Sequence, residues 1–117
     1  MAEDCIFCQI IQGKAPARIV YQDERVTAFW DVNPRMPVHL LVVPNKHIES
    51  LDALDTKDVG LLGQIILTAR RLASEQGIGG SGYRLVINNG PDAGQSVSHL
   101  HLHLIGGRRM PVFFPTP

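Results

Sequence analysis

Apolar residues recur along this chain with two different periods, and each change of period marks an element. From Cys5 to Gln12, Ile6, Ile10 and Ile11 fall near helical spacing and Gly13 stops the run, which predicts a short helix. Two β-rich runs follow, Arg18 to Tyr21 and Arg25 to Trp30. The polar Gln22-Asp23-Glu24 between them reads as a hairpin that leaves Val26, Ala28 and Trp30 on one face. Asn33-Pro34-Arg35-Met36-Pro37 is a turn, since two prolines exclude both helix and central strand, and His39 to Val43 reads as a third strand ended by Pro44. Asp55 and Asp58 form a helix-capping pair, after which Leu62, Ile65, Ile66, Ala69, Leu72 and Ala73 recur at three and four, giving a long helix that ends near Gly77. Tyr83 to Asn88 and His99 to Ile105 are two further strands, joined by the loop Asn89 to Gln95. Hairpin-length connections imply antiparallel pairing. One long and one short helix segregated from the strands in sequence imply α+β rather than alternating β/α.

Length and composition narrow the class. With 117 residues, 44% of them hydrophobic, the chain fits one domain with a single core and leaves no room for two. Eleven basic residues balance eleven acidic ones, so a nucleic-acid clamp, which needs a basic excess, is excluded as a leading reading. No apolar run approaches the roughly 18 residues of a membrane span. The acidic Met1-Ala2-Glu3-Asp4 is unlike a basic signal-peptide start, so the expected location is cytoplasmic. Gly77-Ile78-Gly79-Gly80-Ser81-Gly82 satisfies the dinucleotide fingerprint in letters only: a helix precedes it and a strand follows, the reverse of what pyrophosphate binding requires.

The chemistry concentrates in His99-Leu100-His101-Leu102-His103-Leu104-Ile105, three histidines at i, i+2 and i+4. On a strand Leu100, Leu102 and Leu104 point to the core while three imidazoles project together from the other face. Clustered imidazoles bind metal, relay protons or act as nucleophiles, and with an ordinary pKa near 6.5 they are mostly neutral at cellular pH. The preceding Gly94-Gln95-Ser96-Val97-Ser98 supplies small residues and hydroxyls where main-chain N–H groups can turn toward a phosphate-sized anion.

The run Gln95 to Ile105 resembles the signature of the histidine triad family of nucleotide hydrolases and transferases, with the Hint-like branch the nearest. The similarity extends from about Ile6 to Met110 through Ile6-Phe7, Ala28-Phe29, Asp31, Pro37-Val38-His39, Lys46-His47-Ile48, Gly82-Tyr83-Arg84 and Gly106-Gly107-Arg108. The single domain spans 1–117, its proline-rich 111–117 an extended tail. The resemblance implies a five-stranded antiparallel sheet with one long and one short helix, and a homodimer. It also implies cleavage of purine nucleoside 5′-phosphoramidates at the α-phosphorus, with AMP-like nucleotides as partners. In that reading His101 is the nucleophile, giving a covalent nucleotidyl-histidine that water resolves. His103 and the N–H groups of the Gly94, Gln95 and Val97 loop stabilise charge, and Ser96 assists the departing group. His39, which unaided reads as a core histidine, completes the catalytic cluster. Asp31 accepts the ribose hydroxyls, Ile6, Phe7, Ile10, Phe29 and Val32 wall the base, and Asn88 contacts phosphate or ribose. Without the resemblance the apolar members are ordinary core and Asp31 and Asn88 are turn and strand-end residues. A nucleotide-binding scaffold with incidental hydrolysis and a dinucleoside polyphosphate hydrolase are the alternative functions. Ser96, where the Fhit-like branch tends to carry threonine, weighs against the latter. Ser98 in place of the usual aromatic, and a tail lacking the usual tryptophan, depart from the Hint-like pattern.

Cys5-x-x-Cys8 fits a zinc site, a redox pair or two buried thiols. Redox pairs follow a strand in a βαβ unit, which is absent here. With His101 and His103 reserved for catalysis, His47 and His99 complete a Cys2His2 set. Some bacterial members of the family resemble this arrangement with a structural zinc. Others lack the cysteines, which implies that catalysis needs no cofactor.

Overall fold

The hairpin and strand patterns close into one antiparallel sheet. The computed structural model describes residues 4–113, and within them α1 (Ile6–Ile11) is followed by β1 (Ile19–Gln22), β2 (Val26–Trp30), β3 (Val38–Pro44), α2 (Val59–Glu75), β4 (Tyr83–Val86) and β5 (Leu102–Gly106). The order across the sheet is β1-β2-β3-β5-β4, with every neighbouring pair antiparallel. The expected α+β class, five strands with one long and one short helix, is what forms. Among the described residues no helix is long and apolar enough to cross a membrane.

Alternation along β2, β3 and β5 divides the apolar residues between the two faces of the sheet. Val26, Ala28, Leu40, Val42, Leu102 and Leu104 pack with Leu61, Ile65, Ala69, Leu72 and Ala73 of α2 in the larger core. Phe29, Leu41 and Val43 face the other way and pack with Cys5, Phe7, Cys8 and Ile10 of the α1 segment. The helix thus covers one face, and the functional side chains are left for the other.

The expected capping pair is present: Asp55 accepts the Lys57 N–H at 2.9 Å and Asp58 accepts the Asp55 N–H at 3.0 Å. It caps a 3-10 turn, Thr56–Asp58, that runs directly into α2. The buried stripe of α2 differs from the expected one by a small rotation: Leu61 is buried where Leu62 was expected, and Ile66 is 41% exposed. Leu61, Ile65, Thr68, Ala69 and Leu72 are the positions that face the sheet, because helical spacing alone leaves the phase undetermined between adjacent leucines or isoleucines. β4 ends at Val86, not Asn88.

The principal correction concerns β5. It begins at Leu102, so His99, Leu100 and His101 lie before the strand. Instead of extending the β3 ladder, they bond to the end of β3 and the segment beyond it: the Leu100 N–H donates to the Ile48 carbonyl at 2.6 Å, and a ring nitrogen of His99 lies 2.8 Å from the carbonyl of Pro44, the last residue of β3. Leu100 nevertheless packs in the larger core with Leu102 and Leu104, so the alternation survives without the ladder. Of the expected tail, Pro111 to Phe113 have no regular structure, and Arg84 Nη2 donates to the Pro111 carbonyl at 2.9 Å. Residues 114–117 lie outside the described residues.

Candidate active site

On the face opposite α2 the hydrogen-bond partners assign the three triad histidines distinct proton positions. His101 Nδ1 is 2.7 Å from the His99 carbonyl. A carbonyl only accepts, so Nδ1 carries the proton and Nε2 keeps a lone pair. The chain of His39 and His103 works the opposite way. The Arg35 main-chain N–H donates to His39 Nδ1 at 3.0 Å, which leaves the His39 proton on Nε2, 2.9 Å from His103 Nδ1 and 3.3 Å from Asp31 Oδ2. His103 Nδ1 therefore accepts, and its Nε2–H is the nitrogen left to donate to a ligand. One imidazole offers a lone pair and its neighbour, with ring centroids 5.0 Å apart, offers a proton.

Burial disfavours the charged form of His39 and of His103. His103 is pushed down to about 4, first by burial and then by the neighbouring His101 and His39 imidazoles, with Asp31 pulling weakly the other way. His39 is lowered by burial and by Arg35 against the opposing attraction of Asp31.

Two cavities meet over these side chains. The larger and more apolar, about 450 Å³, is walled by Ile6, Phe7, Ile10, Phe29, Val32 and Leu41, and His101 and His103 line it with Asp31, Ser96 and Val97. The second, about 380 Å³, is lined by Asp31, Asn33, Arg35, His39, Asn88, Ser96 and His103, but not by His101. Ser96, His103, Asp31 and Asn33 belong to both. Phe7 sets its ring edge-on to His101 at 5.2 Å and to Phe29 at 5.4 Å, which fixes the floor of the apolar cavity. Asp31 Oδ1 accepts the Asn33 N–H at 2.8 Å, so the turn that follows β2 also aims its carboxylate.

The expected site residues therefore assemble, with two exceptions. Gly94 and Gln95 line neither cavity. Their main-chain N–H groups donate to Pro91 and Gly90 carbonyls, and the Gln95 side chain binds the Gly90 N–H and the Glu49 and Val97 carbonyls. Gln95 thus braces the loop that presents Ser96 and Val97. Sequence reasoning missed Arg35 and Asn33, which sit in a proline turn that carries no chemical signal. It also missed Trp30 and the Ala15 to Ala17 segment at the apolar rim.

Beside the triad lies a second cluster. Donor atoms of Cys5, Cys8, His47 and His99 all fall within 4.8 Å of one another. Cys5 Sγ to His99 Nδ1 is 3.3 Å, Cys8 Sγ to His47 Nδ1 3.3 Å, Cys8 Sγ to His99 Nδ1 3.5 Å, and His47 Nδ1 to His99 Nδ1 3.2 Å. Zinc bonds of about 2.3 Å to sulfur and about 2.0–2.1 Å to nitrogen set tetrahedral edges of about 3.5 Å for S···N and about 3.3 Å for N···N, so the four donors fit. His99 Nε2–H donates to the Pro44 carbonyl, which leaves Nδ1 as the ligating atom, the usual outer-sphere arrangement for a metal-bound imidazole. Without metal, burial and the adjacent Cys5 push the Cys8 thiol up to about 11, so a metal would have to displace its proton. Asp31, His39 and His103 also come together. They do not fit a metal, because His39 Nδ1 accepts the Arg35 N–H and its Nε2 must then hold the proton.

Comparison with known proteins agrees with this geometry. The HIT domain family matches residues 12–110. Purine nucleoside phosphoramidase of Escherichia coli K12 is 44% identical over 108 residues, 92% of this chain and 91% of that one. The crystal structure of a HIT family hydrolase from Legionella pneumophila superposes with a TM-score of 0.91 at 44% identity, covering 92% of this chain and 96% of that one. A zinc-bound histidine triad family protein from Mycobacterium smegmatis gives 0.79 at 33% identity, covering 92% and 78%.

Proposed function

The chain belongs to the HIT family, and from that premise we propose that it hydrolyses purine nucleoside 5′-phosphoramidates through a covalent intermediate on His101. The observation that carries the proposal is the 2.7 Å contact between His101 Nδ1 and the His99 carbonyl, which leaves the Nε2 lone pair for the apolar cavity, whose lining Ser96 and His103 are shared with the polar one. The nucleoside occupies the apolar cavity, its base against Ile6, Phe7, Ile10, Phe29 and Val32 and its ribose hydroxyls on Asp31. His101 Nε2 attacks the α-phosphorus in line. The new N–P bond forms as the P–N bond to the leaving amine breaks, and the amine takes a proton from water passed through the Ser96 hydroxyl. Water then attacks the same phosphorus, the imidazole leaves, and the proton released neutralises the hydroxide left by the first step, so the products are nucleoside 5′-monophosphate and free amine. The His103 Nε2–H, the Ser96 and Val97 main-chain N–H groups and Asn88 stabilise the charge on the non-bridging oxygens. His39 positions His103 by donating to its Nδ1. Gln95 and Gly94 act at one remove, by shaping the loop.

Cys5, Cys8, His47 and His99 would hold a structural zinc. Such an ion ties α1, which walls the nucleoside cavity, to the segment that carries the triad, and takes no part in the chemistry. The chain acts as a homodimer. Support for this lies in the exposed apolar residues of α2, Val59, Ile66 and Leu67, and in the free edge of β4.

The test is steady-state hydrolysis of adenosine 5′-phosphoramidate by the native protein and by His101→Ala. Turnover that falls by about 10³-fold or more in the variant supports the proposal, on the scale lost when other covalent nucleophiles are removed. Equal, negligible rates in both proteins would reduce the chain to a nucleotide-binding fold.

A further inference from the structure

An in-line displacement puts the leaving atom on the far side of phosphorus from the attacking nitrogen. Of the two cavities that meet at Ser96 and His103, only the apolar one is lined by His101. The polar one shares His103 and Ser96 but not the nucleophile, so it lies where a departing group would go. Its character differs from that of the nucleoside cavity. Arg35, Asn33 and Asn88 line it with Asp31, whose carboxylate is held 3.3 Å from His39 Nε2, whereas among the described residues no lysine or arginine lines the apolar cavity. The Arg35 side chain forms no ion pair among the described residues, although its charge reaches far enough to disfavour protonation of His39. With Asn88 turned to the phosphorus oxygens, an unpaired guanidinium beside the Asn33 carboxamide is a recognition set for one planar anion.

We infer that this polar cavity is a leaving-group subsite in which Arg35 recognises a carboxylate carried by the departing amine. The substrates favoured are then nucleoside 5′-phosphoramidates of amino acids with a free carboxylate. The inference rests on the phosphoramidase reading above and adds the leaving group to it. A polyphosphate leaving group, with several charges, would call for more than one cation, and among the described residues Arg35 is the one lysine or arginine that lines this cavity. The rival cleft beside Ser96 is lined by Asp4 and Glu49, has no lysine or arginine, and would select a cationic amine.

The experiment compares two adenosine 5′-phosphoramidates whose amines are glycinate and glycinamide, which differ in charge at nearly constant shape. The native protein is expected to favour glycinate in kcat/KM. Arg35→Gln should reduce the glycinate-to-glycinamide ratio by about 10-fold, the scale of a charge-assisted hydrogen bond, and Arg35→Glu should reduce it further. Both variants alter an exposed side chain and keep the main-chain N–H that His39 uses. The same pair is titrated calorimetrically against His101→Ala and against the double variant with Arg35→Gln. Charge-dependent binding that Arg35→Gln abolishes, without turnover by the native protein, would sustain the subsite while the phosphoramidase reading fails. Turnover with an unchanged ratio in Arg35→Gln would overturn the subsite and leave that reading intact. A native preference for an ethylenediamine-derived amine over glycinamide would overturn it in favour of the acidic cleft. A larger Arg35→Gln effect on diadenosine triphosphate than on glycinate would overturn the carboxylate assignment.

Discussion

Acidification should destabilise this protein through His103 in a way that a single substitution can isolate. In the folded chain His103 stays neutral down to about pH 4, because burial and the adjacent His101 and His39 imidazoles oppose its charging. In the unfolded chain an imidazole takes up its proton near pH 6.5. Between those two values the unfolded state holds more protons, so stability falls as pH falls. Integrated from pH 7.5 to pH 5.0, this one group removes about 2 kcal/mol. His103→Gln keeps a hydrogen-bonding side chain of similar length that does not titrate. Urea unfolding of both proteins at the two pH values, with m-values compared to confirm like transitions, gives the double difference and cancels the titration of groups that do not touch residue 103. The native protein should lose about 2 kcal/mol more than the variant. Equal losses would mean that His103 charges freely in the folded state, and the assignment of its Nδ1 as an acceptor from His39 would fall with it.

Metal analysis of the protein as purified should find one zinc per chain. Chelation should lower Tm by about 15 °C, since metal a thousandfold above its Kd adds about 4 kcal/mol to a domain of this size. Cys8→Ser should abolish both the metal and the chelator response, whereas an unchanged Tm with no bound metal would make the cluster two buried thiols. Gly107→Ala should cost about 1–3 kcal/mol in urea unfolding, because Gly107 has φ +102° and an added Cβ would lie 2.9 Å from Pro37 Cβ at the end of β5. A neutral outcome would show that the Pro37 turn yields.

The strands were legible because a two-residue period separates the faces of a sheet without ambiguity, as Leu40 and Val42 against Leu41 and Val43 demonstrate. The helical period is coarser, and the phase of α2 was settled only by packing, which chose Leu61 and turned Ile66 outward. Alternation also assigned the triad to one face yet misplaced the start of β5. It carries no information on long-range partners, and the bonds that draw His99 and Leu100 off the ladder go to Pro44 and Ile48. The Cys5, Cys8, His47 and His99 set could be anticipated because the donor types themselves specify the chemistry. Arg35 could not, since its functional atom in the His39 network is a main-chain N–H common to nearly every residue. The bracing of the loop by Gln95 was not legible for a related reason: its side chain satisfies nearby backbone groups, a duty that the letters do not distinguish from ligand binding.

The central claim is that His101 Nε2 becomes bonded to phosphorus. Rapid acid-free quenching of the native protein with adenosine 5′-phosphoramidate, followed by intact mass and peptide mapping, tests it most directly. The account predicts a transient adenylyl adduct on His101 that is labile to acid, stable to base, and absent from His101→Ala. Turnover without any adduct, or an adduct that maps to His103 or His39, would contradict it.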